Sequence, residues 1–149
     1  MKSTLQAGLY YEFKFTVPEN KTVPYLYPES EELQVMPKVL ATGYMVGLFE
    51  WACIKALKPH LDWPNEQTVG TDLKLSHVAA TPPGLTVTVK IRLEKIEGKR
   101  LFFHVEGHDG IDLISEGTHE RFIIDAAKFI GKVNKKNNAP QKPDTEIEN

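Results

Sequence analysis

Between Val39 and Ile54 the chain reads Val-Leu-Ala-Thr-Gly-Tyr-Met-Val-Gly-Leu-Phe-Glu-Trp-Ala-Cys-Ile, apolar on every face at helical spacing apart from one charged residue, Glu50. A helix apolar all round is a buried helix, so the pattern predicts Glu50 in or near the core. A buried carboxylate without a partner is costly and needs protonation, a counter-charge or a function. Glu50 is therefore either a core residue satisfied by local hydrogen bonds or a functional acid. The helix is predicted to begin near Thr42 and to end before Pro59, with Lys55 and Lys58 at the negative end of its dipole. Gly43 and Gly47 share one face, where close packing against a sheet is favoured over approach of a ligand.

Elsewhere the period is that of strands. Tyr10 to Val17 alternates bulky and polar residues in its second half. Pro18, Pro24, Pro28 and Pro37 then exclude a long helix or central strand, and the apolar residues among them predict a loop packed on the body as a lid over residues 18–38. Thr68 to Ala79 reads as a strand with a bulge at Gly70. After the turn Thr81-Pro82-Pro83-Gly84, Leu85, Val87, Val89, Ile91 and Leu93 alternate with polar partners. Glu97-Gly98-Lys99 turns into Leu101, Phe103 and Val105, and Asp109-Gly110 marks a hairpin leading into Ile111 to Ile124. The expected order is strand, lid, one long helix, then a meander of about four strands: an α+β domain over residues 1–132. Residues 133–149, rich in Lys, Asn and Pro and then acidic, have little to bury and are expected to be a disordered tail.

A single antiparallel sheet leaves one flank of an all-apolar helix open, so a second copy is the simplest cover and a homodimer is expected. Composition narrows the partners. The 149 residues carry a formal charge of −2, which gives no electrostatic case for nucleic acid or an anionic membrane. The apolar run is too short and too interrupted to span a bilayer. The N-terminus lacks the apolar segment of a secretory signal, which points to the cytoplasm, and the single cysteine, Cys53, reads as core packing.

Three polar residues stand out in apolar or turn-bounded settings: Thr42, Glu50 and His77. Thr42 and Glu50 are offset by about 80° around the helix and ~12 Å along it. They reach one atom together only if the helix start bends or a partner subunit contributes. His77, at a strand end, is either a structural residue or a proton carrier. His104, His108, Asp109 and His119 are scattered by strand alternation over different faces, so no metal site is expected.

Several runs together resemble the fluoroacetyl-CoA thioesterase group of hot-dog proteins: Leu26 to Ser30, Ala41 to Leu48, Glu50 to Cys53, Ala79 to Val89, His108 to Gly110 and Gly117 to Arg121. The resemblance runs collinearly from about Gly8 to Val133. It implies a hot-dog fold, a long helix wrapped by an antiparallel sheet, dimerised so that active sites form between subunits. It also implies that Thr42, Glu50 and His77 are catalytic, that Gly70 and Arg121 line the site, and that Leu33 and Met36 hold lid positions where the fluoroacetyl-specific enzyme has phenylalanines. The implied activity is hydrolysis of short acyl-CoA thioesters, acetyl-CoA among them, with little preference for fluorine. No cofactor is implied, since coenzyme A is part of the substrate. A non-catalytic acyl-CoA binding protein and a hot-dog hydratase or dehydratase are the alternatives, because fold does not fix reaction.

Overall fold

The alternating strands form one layer, and the apolar helix packs against it. The structure, a computed structural model, describes residues 1–143. Strands β1 (Tyr10–Thr16), β2 (Glu66–Leu75), β3 (Thr86–Glu97), β4 (Arg100–His108) and β5 (Leu113–Asp125) make a single antiparallel sheet in the order β1-β3-β4-β5-β2. Helix α1 (Glu31–Gln34) is one turn capped by Ser30, and α2 (Thr42–Leu57) is the long helix. Helix α3 (Ala126–Asn137) follows β5 directly, its first turn capped by the Asp125 carboxylate accepting from Lys128 N–H at 2.9 Å.

The meander is three strands, β3-β4-β5, rather than about four. Strand β2 leaves the helix and pairs with β5 on the far side, while β1 pairs with β3. It also stops at Leu75, so His77 lies beyond the strand and not at the end of a longer one. The bulge expected at Gly70 is present, between Gly70 and Asp72. The stretch read as a tail from residue 133 is helical as far as Asn137, so a domain boundary at 132 would cut α3. The remainder of that tail beyond residue 143 lies outside the described residues.

The core lies between α2 and one face of the sheet. Met45, Leu48, Phe49, Ala52, Cys53, Ala56 and Leu57 point inward from the helix. They meet Val87, Val89, Ile91 and Leu93 of β3 and Leu101, Phe103 and Val105 of β4, the inward positions set by period-2 alternation. Phe49 is fully buried, and burying a side chain of that size stabilises by about 3 kcal/mol. Gly107 makes room for it: a Cβ there would come within 3.2 Å of Phe49 Cζ.

Helix α2 is not covered all round. Gly43, Gly47 and Trp51 are exposed and Glu50 is part-exposed, so the face opposite the core is open in the single chain. The two glycines stand on this open side and do not pack on the sheet. Gly47 has nothing within 4 Å of a notional Cβ, and Gly43 faces Leu26 from the proline-rich segment. An apolar sequence period reports which residues share a face, but not whether the same chain covers it.

Candidate active site

The site residues fall into two groups along α2. At its N-terminus, Thr42 Oγ1 lies 2.7 Å from His77 Nδ1. Local structure explains the meeting. The Leu40 N–H donates to the Thr81 carbonyl, tying the helix start to the segment after His77. The Thr81 hydroxyl donates in turn to Asp109 at 2.9 Å, and Asp109 also accepts from the Ile111 and Asp112 N–H groups in the β4–β5 hairpin. Burial pushes the Asp109 carboxyl up, but these hydrogen bonds outweigh it and hold the pKa below the ordinary value. On the other side of His77, Ser76 N–H and Val78 N–H donate to the Glu116 and Ile114 carbonyls of β5.

His77 is half-buried. Burial lowers its pKa below the usual histidine value, and a backbone interaction with Ala79 offsets part of that. The neutral imidazole is thereby favoured, so the Thr42–His77 pair can pass a proton between oxygen and nitrogen. His77 Nε2 is shut off from solvent without a hydrogen-bond partner, an arrangement more characteristic of a working site than of a packed core. A shallow cavity of about 210 Å³, lined by Val39, His77, Val78, Ala79 and Ala80, adjoins it.

Two turns on, Glu50 projects towards β2 and β5. Its side chain is 44% exposed, which corrects the expectation that it sits in or near the core. The apolar run misled because the residues around Glu50 form the helix's open flank. Glu50 Oε1 lies 4.0 Å from Arg121 Nη1. Arg121 is only 3% exposed and occupies an inward position of β5 directly opposite Gly70. Its Nε donates to the Thr68 hydroxyl and its Nη2 to the Thr68 carbonyl, each at 2.8 Å. Burial lowers the guanidinium's pKa, with the Glu50 charge acting the other way, and the group stays cationic. Gly70 is what lets these groups converge: a Cβ there would stand 2.9 Å from Glu50 Oε1 and 3.6 Å from Arg121 Nη1. Cys53 lies beneath, its thiol pushed by burial to about 12 and so inert as a nucleophile.

Within one chain, then, Thr42 meets His77, and Glu50 meets Gly70 and Arg121. Sequence reasoning named all five but missed Thr68 and weighed His119 only as a metal ligand; these two hold Arg121. The signal was present: His119 and Arg121 share strand parity with Ile123, a core residue. Leu33 is half-buried in α1, and Met36, just past it, is 47% exposed. The proline-rich segment is tethered to α2 by the Tyr44 hydroxyl, which donates to the Tyr25 carbonyl at 3.0 Å. An apolar cavity of about 240 Å³ is bounded by Phe15, Lys21, Tyr44, Gly47, Leu48 and Trp51, without Glu50. The titratable groups locate the chemistry better than this cavity does. On the outer sheet face His104, Glu106 and Glu116 bring ligand-type atoms within 4.8 Å of one another. His119 is buried on the inner face and Asp109 clamps the hairpin, apart from them.

Residues 19–127 match the family model described as fluoroacetyl-CoA-specific thioesterase. The chain is 51% identical over 136 residues to the fluoroacetyl-CoA thioesterase of Streptantibioticus cattleyicolor, covering 91% of this chain and 97% of that protein. Among solved structures, a threonine-to-serine variant of the fluoroacetyl-CoA thioesterase FlK in complex with acetyl-CoA superposes with a TM-score of 0.86 at 50% identity, covering 89% of this chain and 98% of that one. A thioesterase superfamily member from Thermus thermophilus gives 0.79 at 31% identity, over 91% and 96%.

Proposed function

Because the chain belongs to the fluoroacetyl-CoA thioesterase family of hot-dog proteins, we propose that it hydrolyses short-chain acyl-CoA thioesters, acetyl-CoA among them, to the free acid and coenzyme A. The observation that carries this reading is a carboxylate, Glu50, standing 4.0 Å from a buried guanidinium on the open flank of an otherwise apolar helix. Hydrolysis requires an oxygen to attack the thioester carbon, the carbonyl oxygen to take up charge, and the sulfur to leave as a thiol. Glu50 supplies the first, either as nucleophile through a mixed anhydride or as general base on water. On this reading the Thr42 hydroxyl, brought to Glu50 across a dimer interface, donates to the developing oxyanion, and one such donor is worth about 3 kcal/mol. His77, neutral at the helix start, takes up the proton that water releases on attack and passes it to the departing sulfur.

No atom changes oxidation state in these steps, so the reading calls for no redox cofactor, and coenzyme A enters only as part of the substrate. Among the described residues no helix is long and apolar enough to cross a membrane. We place the activity in the cytoplasm.

The expected partner is a second copy of the chain. Thr42 and Glu50 lie two helical turns apart, and the flank carrying Gly47, Glu50 and Ile54 is open to water. Among the described residues strand β2 pairs with β5 on one side only, leaving its other edge of backbone donors and acceptors open. A copy closing over that edge and flank would dry the cleft and strengthen its electrostatics. Sedimentation or scattering at micromolar concentration is expected to give twice the mass of one chain; a mass of one chain removes the dimer.

Leu33 and Met36 set the expected acyl preference. Flexible aliphatic side chains lack the ring edge and face with which an aromatic lid reads a single fluorine. Thiol release from a panel of acetyl-, fluoroacetyl-, propionyl- and butyryl-CoA is the deciding experiment. Turnover of acetyl-CoA is expected, with a fluoroacetyl-to-acetyl ratio of kcat/KM below about 10³. A larger ratio defeats the selectivity reading, and no thiol from any ester defeats the function.

A further inference from the structure

Arg121 stands beside the proposed reacting carboxylate, yet Thr68 holds only one edge of its guanidinium, through Nε and Nη2. The remaining nitrogen, Nη1, is the one nearest Glu50. It is held by His119, whose Nε2 lies 3.1 Å away. The other ring nitrogen, Nδ1, lies 2.9 Å from the Asp72 carbonyl. A carbonyl oxygen can only accept, so Nδ1 carries the proton. Nη1 can only donate, so Nε2 must present its lone pair. Both contacts therefore demand one species, the neutral Nδ1–H tautomer. An imidazolium would set N–H against N–H beside a fixed cation.

The surroundings favour that species. His119 is 2% exposed, and burial lowers its pKa, with Arg121's charge lowering it further against the pull of the Asp72 carbonyl, Glu50 and the Asp72 carboxylate. The β2 bulge between Gly70 and Asp72 shifts the register where the Asp72 carbonyl meets the ring. Bulge, imidazole and guanidinium thus form one hydrogen-bonded line whose far end stands 4.0 Å from Glu50.

We propose that His119 is a positioning residue: from within the sheet it fixes the Arg121 nitrogen that faces Glu50, so turnover depends on a side chain that touches no substrate. The inference rests on the thioesterase reading above. His119 acts through the direction of one N–H bond; Thr68 alone leaves that nitrogen unheld.

Two substitutions divide the ring's two contacts. In H119N the amide nitrogen replaces Nδ1 as donor to Asp72, and the acceptor for Arg121 is lost. In H119Q the amide oxygen reaches the position of Nε2 and restores that acceptor. With acetyl-CoA as substrate, H119N is expected to lower kcat about tenfold or more with KM little changed. H119Q is expected to recover most of the loss, and H119N in an R121K background to cost nothing further. A role in packing alone predicts that both variants lose activity in step with their melting temperatures, and that result overturns the proposal. Should H119N not fold, the ring-nitrogen NMR spectrum of the wild-type chain at pH 7 decides: the Nδ1–H tautomer supports the assignment, while Nε2–H or imidazolium overturns it. A wild-type chain that releases no thiol overturns the thioesterase reading and this inference together. An active wild type with an unimpaired H119N overturns only the inference.

Discussion

Glu50→Gln is expected to lower kcat for acetyl-CoA by roughly 10³-fold while leaving the fold intact. Glutamine keeps the volume and the oxygen that faces Arg121, but it removes the anion. Both chemical routes need that anion, one to form a bond to the thioester carbon and the other to take a proton from water. The fold should tolerate the change because the side chain is part-exposed on the open flank of α2 and contributes little to the core. Substitutions of that kind usually move stability by about 0.5 kcal/mol or less. Single-turnover hydrolysis with purified variant and wild type, alongside thermal melts, separates chemistry from folding. Turnover within tenfold of wild type would remove Glu50 from the reaction. Oxygen-18 from solvent incorporated into Glu50 of the wild-type enzyme marks the anhydride route, opened by water at the Glu50 carbonyl; general-base attack and an anhydride opened at the acyl carbon both put the label in the product acid alone.

The inward positions of β3 and β4 were legible from period-2 alternation alone, and so were the limits of α2, from Thr42 to the residues before Pro59. These are local properties, set by side-chain parity and by helix-ending residues. The neighbour of β2 was not legible, because nothing in Glu66–Leu75 records whether it pairs with the strand after it or crosses to β5. Helix α3 was missed for a different reason. Its lysines and asparagines mask a short apolar face, and the cap that starts it, Asp125, is itself the last residue of β5, so no turn signal separates strand from helix.

The site was legible to the same depth. Glu50 is conspicuous as the one charge in an apolar run, and that prominence comes from the helix flank that the chain itself leaves open. The Thr42–His77 contact depends on the Leu40–Thr81–Asp109 tie, a set of long-range hydrogen bonds that no sequence window contains. Arg121 and its supports on Thr68 and His119 come from two strands that meet only once the sheet closes. Residue types announced where chemistry could happen; the pairing of distant strands determined which of them meet.

Gly70→Ala provides the sharpest test of that convergence. Gly70 does not have a positive φ, so alanine fits the backbone without strain, and its effect must come through what the added methyl meets. It would stand 2.9 Å from Glu50 Oε1, 3.1 Å from His119 Cε1 and 3.6 Å from Arg121 Nη1. His119 and Arg121 are buried and held by hydrogen bonds on both sides. Glu50 is the free end of a flexible, part-exposed chain, so it is the group that yields. A displacement of about 1 Å at a reacting group can cost 10²-fold, and kcat for acetyl-CoA is expected to fall by that order. The close approach to the fixed His119 ring offsets the roughly 0.5–1 kcal/mol that alanine contributes by restricting the unfolded chain, so stability should change little. Loss of activity with a nearly unchanged melting temperature is therefore the expected signature. If G70A instead turns over acetyl-CoA at the wild-type rate while E50Q does not, Glu50 must work from a rotamer pointing away from β2, and the Arg121 contact lies outside the reaction.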